Sequence, residues 1–259
     1  MHVIGSQQLK GYVRLALKRR GLELVRRSRA GRADELMDMS ASELEIYEQV
    51  KPYTMTSVEK VITLVRSVQY LLRNQIPGDF VECGVWRGGS IMAIALTLRA
   101  AGQTDRDLYL YDTFTGMSPP SARDARYDGT TASHIMTVGG PNARVHAYAS
   151  LEDVKKNLTA SGYPPERIHY IQGKVEDTIP DTAPTQICML RLDTDWYEST
   201  RHELVHLYPR LVSNGVLIID DYGHWRGSQQ ATDEYFQQLR PAPFLSRIDY
   251  SGRLVIKPV

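Results

Sequence analysis

From residue 78 onward, short apolar runs alternate with segments whose hydrophobic residues recur at helical spacing. DFVECGV (79–85), DLYLYDTF (107–114), RIHYIQGKV (167–175), ICMLRLD (187–193) and GVLIIDDY (215–222) read as strands. Between them, GSIMAIALTLRAAG (89–102), SLEDVKKNLTASG (150–162) and YESTRHELVHLYPRL (197–211) read as helices. Gly102 closes the first, Ser150 caps the second, and Leu204, Leu207 and Leu211 share one side of the third. After GSQQATDEYFQQL the chain ends in PFLSRIDYSGRLVIKPV, a hairpin turning at Ser251-Gly252. Such alternation predicts an α/β fold: a mainly parallel seven-stranded sheet with helices on both faces and the terminal hairpin antiparallel at one side.

Upstream, Val58, Val61, Ile62, Val65, Val68, Leu71 and Leu72 share one helical face behind Ser57. Ser40 or Ser42 caps a shorter helix that stops before Pro52. The stretch LKRRGLELVRRSRAGR (17–32) is strongly basic and allows an amphipathic helix interrupted at Gly21. A solvated helix is the simpler reading of those arginines, ahead of a contact with an anionic partner or a second subunit. The expected organisation is an N-terminal helical extension over 1–52 and one α/β domain over 53–259. Within the domain, residues 115–149 lack strong periodicity and are rich in Gly, Pro, Ser and Thr, as expected of a lid.

Open α/β sheets bind ligands beyond the carboxyl ends of their strands, and acidic residues fall at those ends here. The first strand delivers VECGVWRGGS, with Glu82, Gly84, Gly88, Gly89 and Ser90. This is not the Gly-x-Gly-x-x-Gly of dinucleotide sites, which disfavours a nicotinamide dehydrogenase. An acid ahead of the first glycine suits a ligand carrying positive charge, such as the sulfonium and ammonium groups of S-adenosylmethionine. Asp112 closes the second strand, where a carboxylate can accept both ribose hydroxyls of a nucleoside. Gly173 follows the third strand and permits close backbone approach, while Glu176 and Asp177 read as surface or helix N-terminal acids. Asp193, Asp220 and Asp221 end the next two strands. Unpaired, three such carboxylates would repel one another, and a hard divalent cation such as Mg²⁺ resolves this. A metal there would orient a substrate hydroxyl and lower its pKa, with Asp193 as general base. Asp195 fits either the pocket or a cap on the helix beginning near Tyr197, and the cap is the preferred reading.

Composition changes this picture little. The charge is +1 over 259 residues, so no global field draws the chain to nucleic acid or membrane. No apolar run approaches the roughly 18 residues that a membrane span requires. With no signal-peptide pattern, the expectation is a soluble, cytoplasmic protein. Cys83 and Cys188 lie in apolar runs and read as small buried hydrophobes. His202 and His206, four apart on a helix, are better explained by packing than by metal binding, and His224 is placed to line the pocket.

The segments VECGVWRGGS, YDTFTGM, LRLDTDWYEST and IIDDYGHWRGSQQATDEYF resemble the macrocin O-methyltransferase family, which includes sugar O-methyltransferases of mycinamicin, tylosin and novobiocin biosynthesis. The resemblance implies a Rossmann-like class I methyltransferase fold and use of S-adenosylmethionine and Mg²⁺. It also implies an acceptor hydroxyl on the sugar of a glycosylated small molecule, and a homo-oligomer. Carried onto this chain, it assigns Glu82 and Gly84 to the methionine part of the cofactor and Asp112 to its ribose. Thr54 and Met55 fall in a segment that closes over the cofactor, Ser90 and Gly173 belong to the cofactor loops, and Ser150 lies near the adenine. Asp193, Asp220 and Asp221 would be metal ligands, with Asp193 also the base. The lid and the first forty residues depart most from the family, so the acceptor is not specified. Catechol-type methylation of a phenolic small molecule is the alternative. A binding module that has lost catalysis is disfavoured by the retained acids, and a nucleic-acid methyltransferase by the lack of a basic face.

Overall fold

The computed structural model describes residues 38–140 and 143–259, so the basic 17–32 segment lies outside the described residues. By its contacts the chain divides into Met1–Ser40 and Ala41–Val259. The second unit opens with α1 (Ala41–Val50), which buries Ile46 and Val50 in the main core. An ion pair of 2.7 Å joins its Glu43 to Arg66 of α2 (Val58–Arg73). The apolar side of α1 is thus completed by the sheet-covering helices.

The sheet order is β3-β2-β1-β4-β5-β7-β6. It is built from β1 (Asp79–Cys83), β2 (Leu108–Asp112), β3 (Ile168–Gln172), β4 (Ile187–Leu192), β5 (Leu211–Ile219), β6 (Ser246–Arg247) and β7 (Arg253–Ile256). The first five are parallel, and β7 joins β5 and β6 antiparallel, as the alternation and the terminal hairpin imply. Side chains alternate between two cores with period two. Along β5, Val216 and Ile218 face the core shared with α1, α2 and α3 (Gly89–Ala100). Leu217 and Ile219 face the opposite core. That second core takes Val175 from the short α6 (Val175–Thr178), Leu204 and Leu207 from α7 (Tyr197–Leu207), and Phe236 from α8 (Arg226–Phe236).

Ser57 caps α2 by accepting the Lys60 N–H at 3.3 Å, and Ser150 caps α5 (Leu151–Thr159) by accepting the Asp153 N–H at 3.2 Å. Each such cap contributes about 1 kcal/mol. The lid contains more order than its sequence pattern suggested: α4 (Ala132–Gly139), capped by Thr131, and a single 3₁₀ turn at Arg144–His146. It also forms isolated bridges between Ala125 and Thr131 and between Arg126 and Trp225. The apolar side of α4 rests on Trp196 and Trp225, a cluster too far apart in sequence for periodicity to reveal. Both cysteines are buried and free. No helix among the described residues is long and apolar enough to cross a membrane.

The strand order reverses between β1 and β4, and such a reversal opens a crevice at the carboxyl edge of a parallel sheet.

Candidate active site

A cavity of about 680 Å³ occupies that crevice. Its wall draws on the ends of β1, β2, β4 and β5, the 53–57 segment, the lid, and the terminal hairpin through Tyr250 and Ser251. Of the residues expected at a cofactor, Thr54, Met55, Gly84, Ser90, Asp112, Gly173 and Asp193 line it.

Glycine is required at two of these turns. Gly84 has φ +82°, and a Cβ there would run into the carbonyl oxygen of Asp193, so its absence lets the ends of β1 and β4 touch. At Gly89 a Cβ would strike the Tyr53 backbone, so this glycine lets the 53–57 segment lie against the start of α3. Asp112 ties the same turn to β2. Its Oδ2 accepts the Val85 N–H at 2.7 Å and the Trp86 N–H at 3.1 Å, and its Oδ1 accepts the Phe114 N–H at 2.7 Å. The Thr113 hydroxyl lies 3.4 Å from the same Oδ1, and Asp112 lines the cavity.

Two expected cofactor residues do not reach the wall. Ser150 is spent on capping α5. Glu82 is buried beneath the floor, where its Oε1 accepts from Arg191 at 2.6 Å and its Oε2 has no partner. Strand alternation turns Glu82 into the sheet interior, away from the turn. Burial pushes its carboxyl up to about 8, against the pull of Arg191.

Arg191 organises the acids. Buried at 3% exposure within β4, it reaches Glu82, Asp193 at 2.8 Å and Asp220 at 2.6 Å. Lys60, buried on the first turn of α2, donates to the Asp220 carbonyl at 3.0 Å and forms an ion pair with Asp220 Oδ2. Burial opposes the charge of both cations, yet the surrounding carboxylates outweigh it and hold their pKa values above the ordinary range. For Asp220 burial acts upward, but Arg191 and Lys60 prevail and hold it below the usual carboxylate value.

The oxygens that converge are those of Asp193, Asp195 and Asp221, all within 4.8 Å of one another. The expected set is Asp193, Asp220 and Asp221; in the structure both oxygens of Asp220 are engaged by Lys60 and Arg191, and Asp195 lies with the other two. Asp195 does not cap α7, because the chain turns sharply there: the Trp196 N–H donates to the Thr194 carbonyl at 2.7 Å around an Asp195 φ of +65°. This γ-turn costs about 1–3 kcal/mol of backbone strain and swings the carboxylate back beside Asp193. Burial raises the Asp195 pKa, with a hydrogen bond from Asp221 opposing it and the charges of Asp193 and Asp220 adding to it; burial and then the charges of Asp195 and Asp193 raise that of Asp221.

These residues fit a hard divalent cation. They form a compact all-oxygen donor set, and the buried Asp221 Oδ2 has no hydrogen-bond partner. His224 lines the cavity three residues after Asp221, its Nδ1 sharing a 3.1 Å hydrogen bond with the Tyr250 hydroxyl. His202 bonds the Ile179 carbonyl at 2.9 Å and lies against the tilted ring of His206, centres 4.4 Å apart, which agrees with packing. Sequence reasoning missed Lys60 and Arg191. The signals were present: Arg191 is the only charged residue in ICMLRL, and Lys60 falls in step with Leu64, Ser67 and Leu71.

A reversing, mainly parallel seven-stranded sheet with acids and glycines at its carboxyl edge is the Rossmann-like class I methyltransferase fold. The solved structure of the O-methyltransferase NovP superposes with a TM-score of 0.70 at 30% identity, covering 80% of this chain and 83% of that one. CalS11, a calicheamicin methyltransferase, shares the fold at TM-score 0.61 and 19% identity, over 90% of this chain and 94% of its own. The chain belongs to the macrocin O-methyltransferase (TylF) family, whose model matches residues 29–255, and is thus an O-methyltransferase. The demethyldecarbamoylnovobiocin O-methyltransferase of Streptomyces niveus is 32% identical over 200 residues, 77% of this chain and 74% of its own. The mycinamicin III 3''-O-methyltransferase of Micromonospora griseorubida is 32% identical over 170 residues, 66% of this chain and 65% of its own.

Proposed function

We propose that this chain is an S-adenosylmethionine- and Mg²⁺-dependent O-methyltransferase acting on a sugar hydroxyl of a glycosylated natural product. The observation that carries the reading is the meeting, in one cavity, of the converging Asp193, Asp195 and Asp221 with the Gly84–Asp112 turn. The sugar acceptor is supported by the relatives, whose names specify novobiocin-type, tetracenomycin-rhamnosyl and mycinamicin acceptors.

Asp193, Asp195 and Asp221 would hold the cation, which supplies Lewis acidity toward the acceptor oxygen. Asp193 takes the hydroxyl proton onto a carboxylate oxygen while Arg191 anchors its Oδ2 and fixes its orientation. Gly84, Ser90, Asp112, Gly173 and the Thr54–Met55 segment bind and orient the cofactor, so that the methyl carbon stands in line with the deprotonated oxygen. Met117, Ile135 and Val145 of the lid exclude water from the acceptor side. Trp86, Trp225 and Tyr250 on the wall would also suit a flat phenolic diol, the second reading.

Calorimetric titration of S-adenosylmethionine, followed by methyl-transfer assays on rhamnosylated and catechol acceptors with EDTA and with added Mg²⁺, tests these assignments. Turnover of the glycosylated acceptor that EDTA abolishes and Mg²⁺ restores is expected. Indifference to chelation refutes the metal, and turnover of catechols alone refutes the sugar.

A further inference from the structure

The helices that follow the converging carboxylates both begin without a side-chain cap of their own: α7 after Trp196 and α8 after Trp225. The missing acceptor for α7 comes from the lid. Asp124, buried at 1% exposure, accepts the Tyr197 N–H on Oδ1 at 2.8 Å. Its Oδ2 accepts the Ser121 N–H at 2.6 Å and the Ser121 hydroxyl at 2.8 Å. The same oxygen that caps α7 lies against the start of α8, because a Cβ at Gly227 would collide with Asp124 Oδ1. Next to it, the Arg226 N–H donates to the Ala125 carbonyl at 2.8 Å.

The two helix starts are the downstream ends of the metal-facing turns. Tyr197 follows Asp195 by two residues. The loop before α8 is tied to Asp221, whose carbonyl accepts the His224 N–H at 2.9 Å and the Trp225 N–H at 3.0 Å. One lid carboxylate thus sits where both acid-bearing turns are fixed, yet it does not line the cavity.

We propose that Asp124 is a positioning residue for the divalent-cation site, holding the starts of α7 and α8 so that Asp195 and Asp221 face the same ion. Metal affinity then depends on how the lid is folded, and the acceptor side of the enzyme is mechanically joined to its metal. This inference rests on the metal reading given under Proposed function.

The test uses the full chain and two titrations: Mn²⁺ followed by electron paramagnetic resonance, and S-adenosylmethionine followed by calorimetry. Asp124→Ala is expected to weaken Mn²⁺ binding about tenfold, the range for residues that orient ligands, and to leave cofactor affinity within about twofold. Gly227→Ala, which drives a methyl at the same oxygen without removing it, should give the same selective loss and carries the test if Asp124→Ala does not fold. Asp124→Asn keeps an acceptor for the Tyr197 N–H and should restore most of the affinity. Unchanged Mn²⁺ affinity in Asp124→Ala or Gly227→Ala overturns the proposal. So does a parallel fall of Mn²⁺ and cofactor affinity, the mark of general loosening. A wild-type protein that binds no Mn²⁺ takes down the metal reading and this inference with it, whereas wild-type binding with insensitive variants takes down this inference alone.

Discussion

Replacing Asp195 and replacing Asp220 should move the protein in opposite directions, and the contrast tests the ligand set. Two unit charges 4.8 Å apart repel by about 3.5 kcal/mol at an effective dielectric constant of 20. Asp195 takes part in two such pairs in the metal-free protein, with Asp193 and Asp221. Proton uptake relieves part of that repulsion, since burial and the neighbouring acids raise the Asp195 pKa. Asp195→Asn is therefore expected to stabilise the metal-free protein by about 1–2 kcal/mol, a rise in Tm of roughly 2–8 °C for a domain of this size. Under the ligand set proposed above, the same change removes a ligand. A cation at a hundred times its Kd stabilises the folded state by about 2.7 kcal/mol, and Asp195→Asn should forfeit most of it. Asp220→Asn does the reverse. It weakens the compensation of the buried Lys60 and Arg191, which costs on the order of 3–5 kcal/mol, and it leaves the three converging acids in place. Thermal melts of both variants, with EDTA and then with saturating Mg²⁺, give all four numbers. A fall in the metal-free Tm of Asp195→Asn, or a Mg²⁺ response abolished in Asp220→Asn and intact in Asp195→Asn, would refute the reasoning and return Asp220 to the metal.

Other consequences are open to equally direct tests. Asp112→Ala should weaken S-adenosylmethionine binding and also destabilise the fold by about 1–3 kcal/mol, because the Val85, Trp86 and Phe114 amides lose their acceptor; a denaturant melt coinciding with wild type would contradict this. Gly84→Ala forces a side chain into positive φ against the Asp193 carbonyl and should cost at least about 1–2 kcal/mol, read as a lowered urea midpoint. Glu82 sets a pH dependence of its own. Its folded pKa, raised from 4.5 to about 8 by burial, exceeds the unfolded value, so the folded state binds the extra proton. Its stabilising contribution is complete below about pH 4.5 and lost as pH climbs through 8. Glu82→Gln should flatten the fall in metal-free stability over that window, and an unchanged pH profile of melting would reject the assignment.

Much of the fold was legible in the sequence because burial on both faces of a parallel strand leaves a nearly unbroken apolar run. The points where DFVEC, DLYLYD, ICMLRLD and GVLIID turn polar mark the carboxyl edge of the sheet. The acids and glycines that line the cavity sit at those transitions, and for that reason the position of Gly84, Asp112, Asp193 and Asp221 on its wall is legible in the sequence. What pattern could not supply was pairing across distance. Lys60 meets Asp220 from 160 residues away, and nothing local to either residue announces it. That meeting decides which of the two adjacent aspartates converges with Asp193 and Asp195. Asp195 was misread because an acid just before a helix ordinarily caps it, and the sequence does not show that Asp124, from the lid, already fills that place. The packing of α1 is hard to read for a related reason: it carries few apolar residues, and its place beside α2 and α3 depends on contacts distant in sequence.

The chain has three tryptophans, Trp86, Trp196 and Trp225. Trp86 and Trp225 line the cavity, and Trp196 follows Asp195 and meets Trp225 edge-on, ring centres 5.0 Å apart. All of the molecule's intrinsic indole emission therefore originates at one place. Excited at wavelengths where tyrosine is dark, the unlabelled protein reports on the cavity wall and the packing just behind it. Trp86 stands by the glycine turn, and the Trp196–Trp225 pair stands under the lid beside the acids. Single-tryptophan replacements would separate events beside the glycine turn from events beneath the lid, in real time and without a substrate analogue.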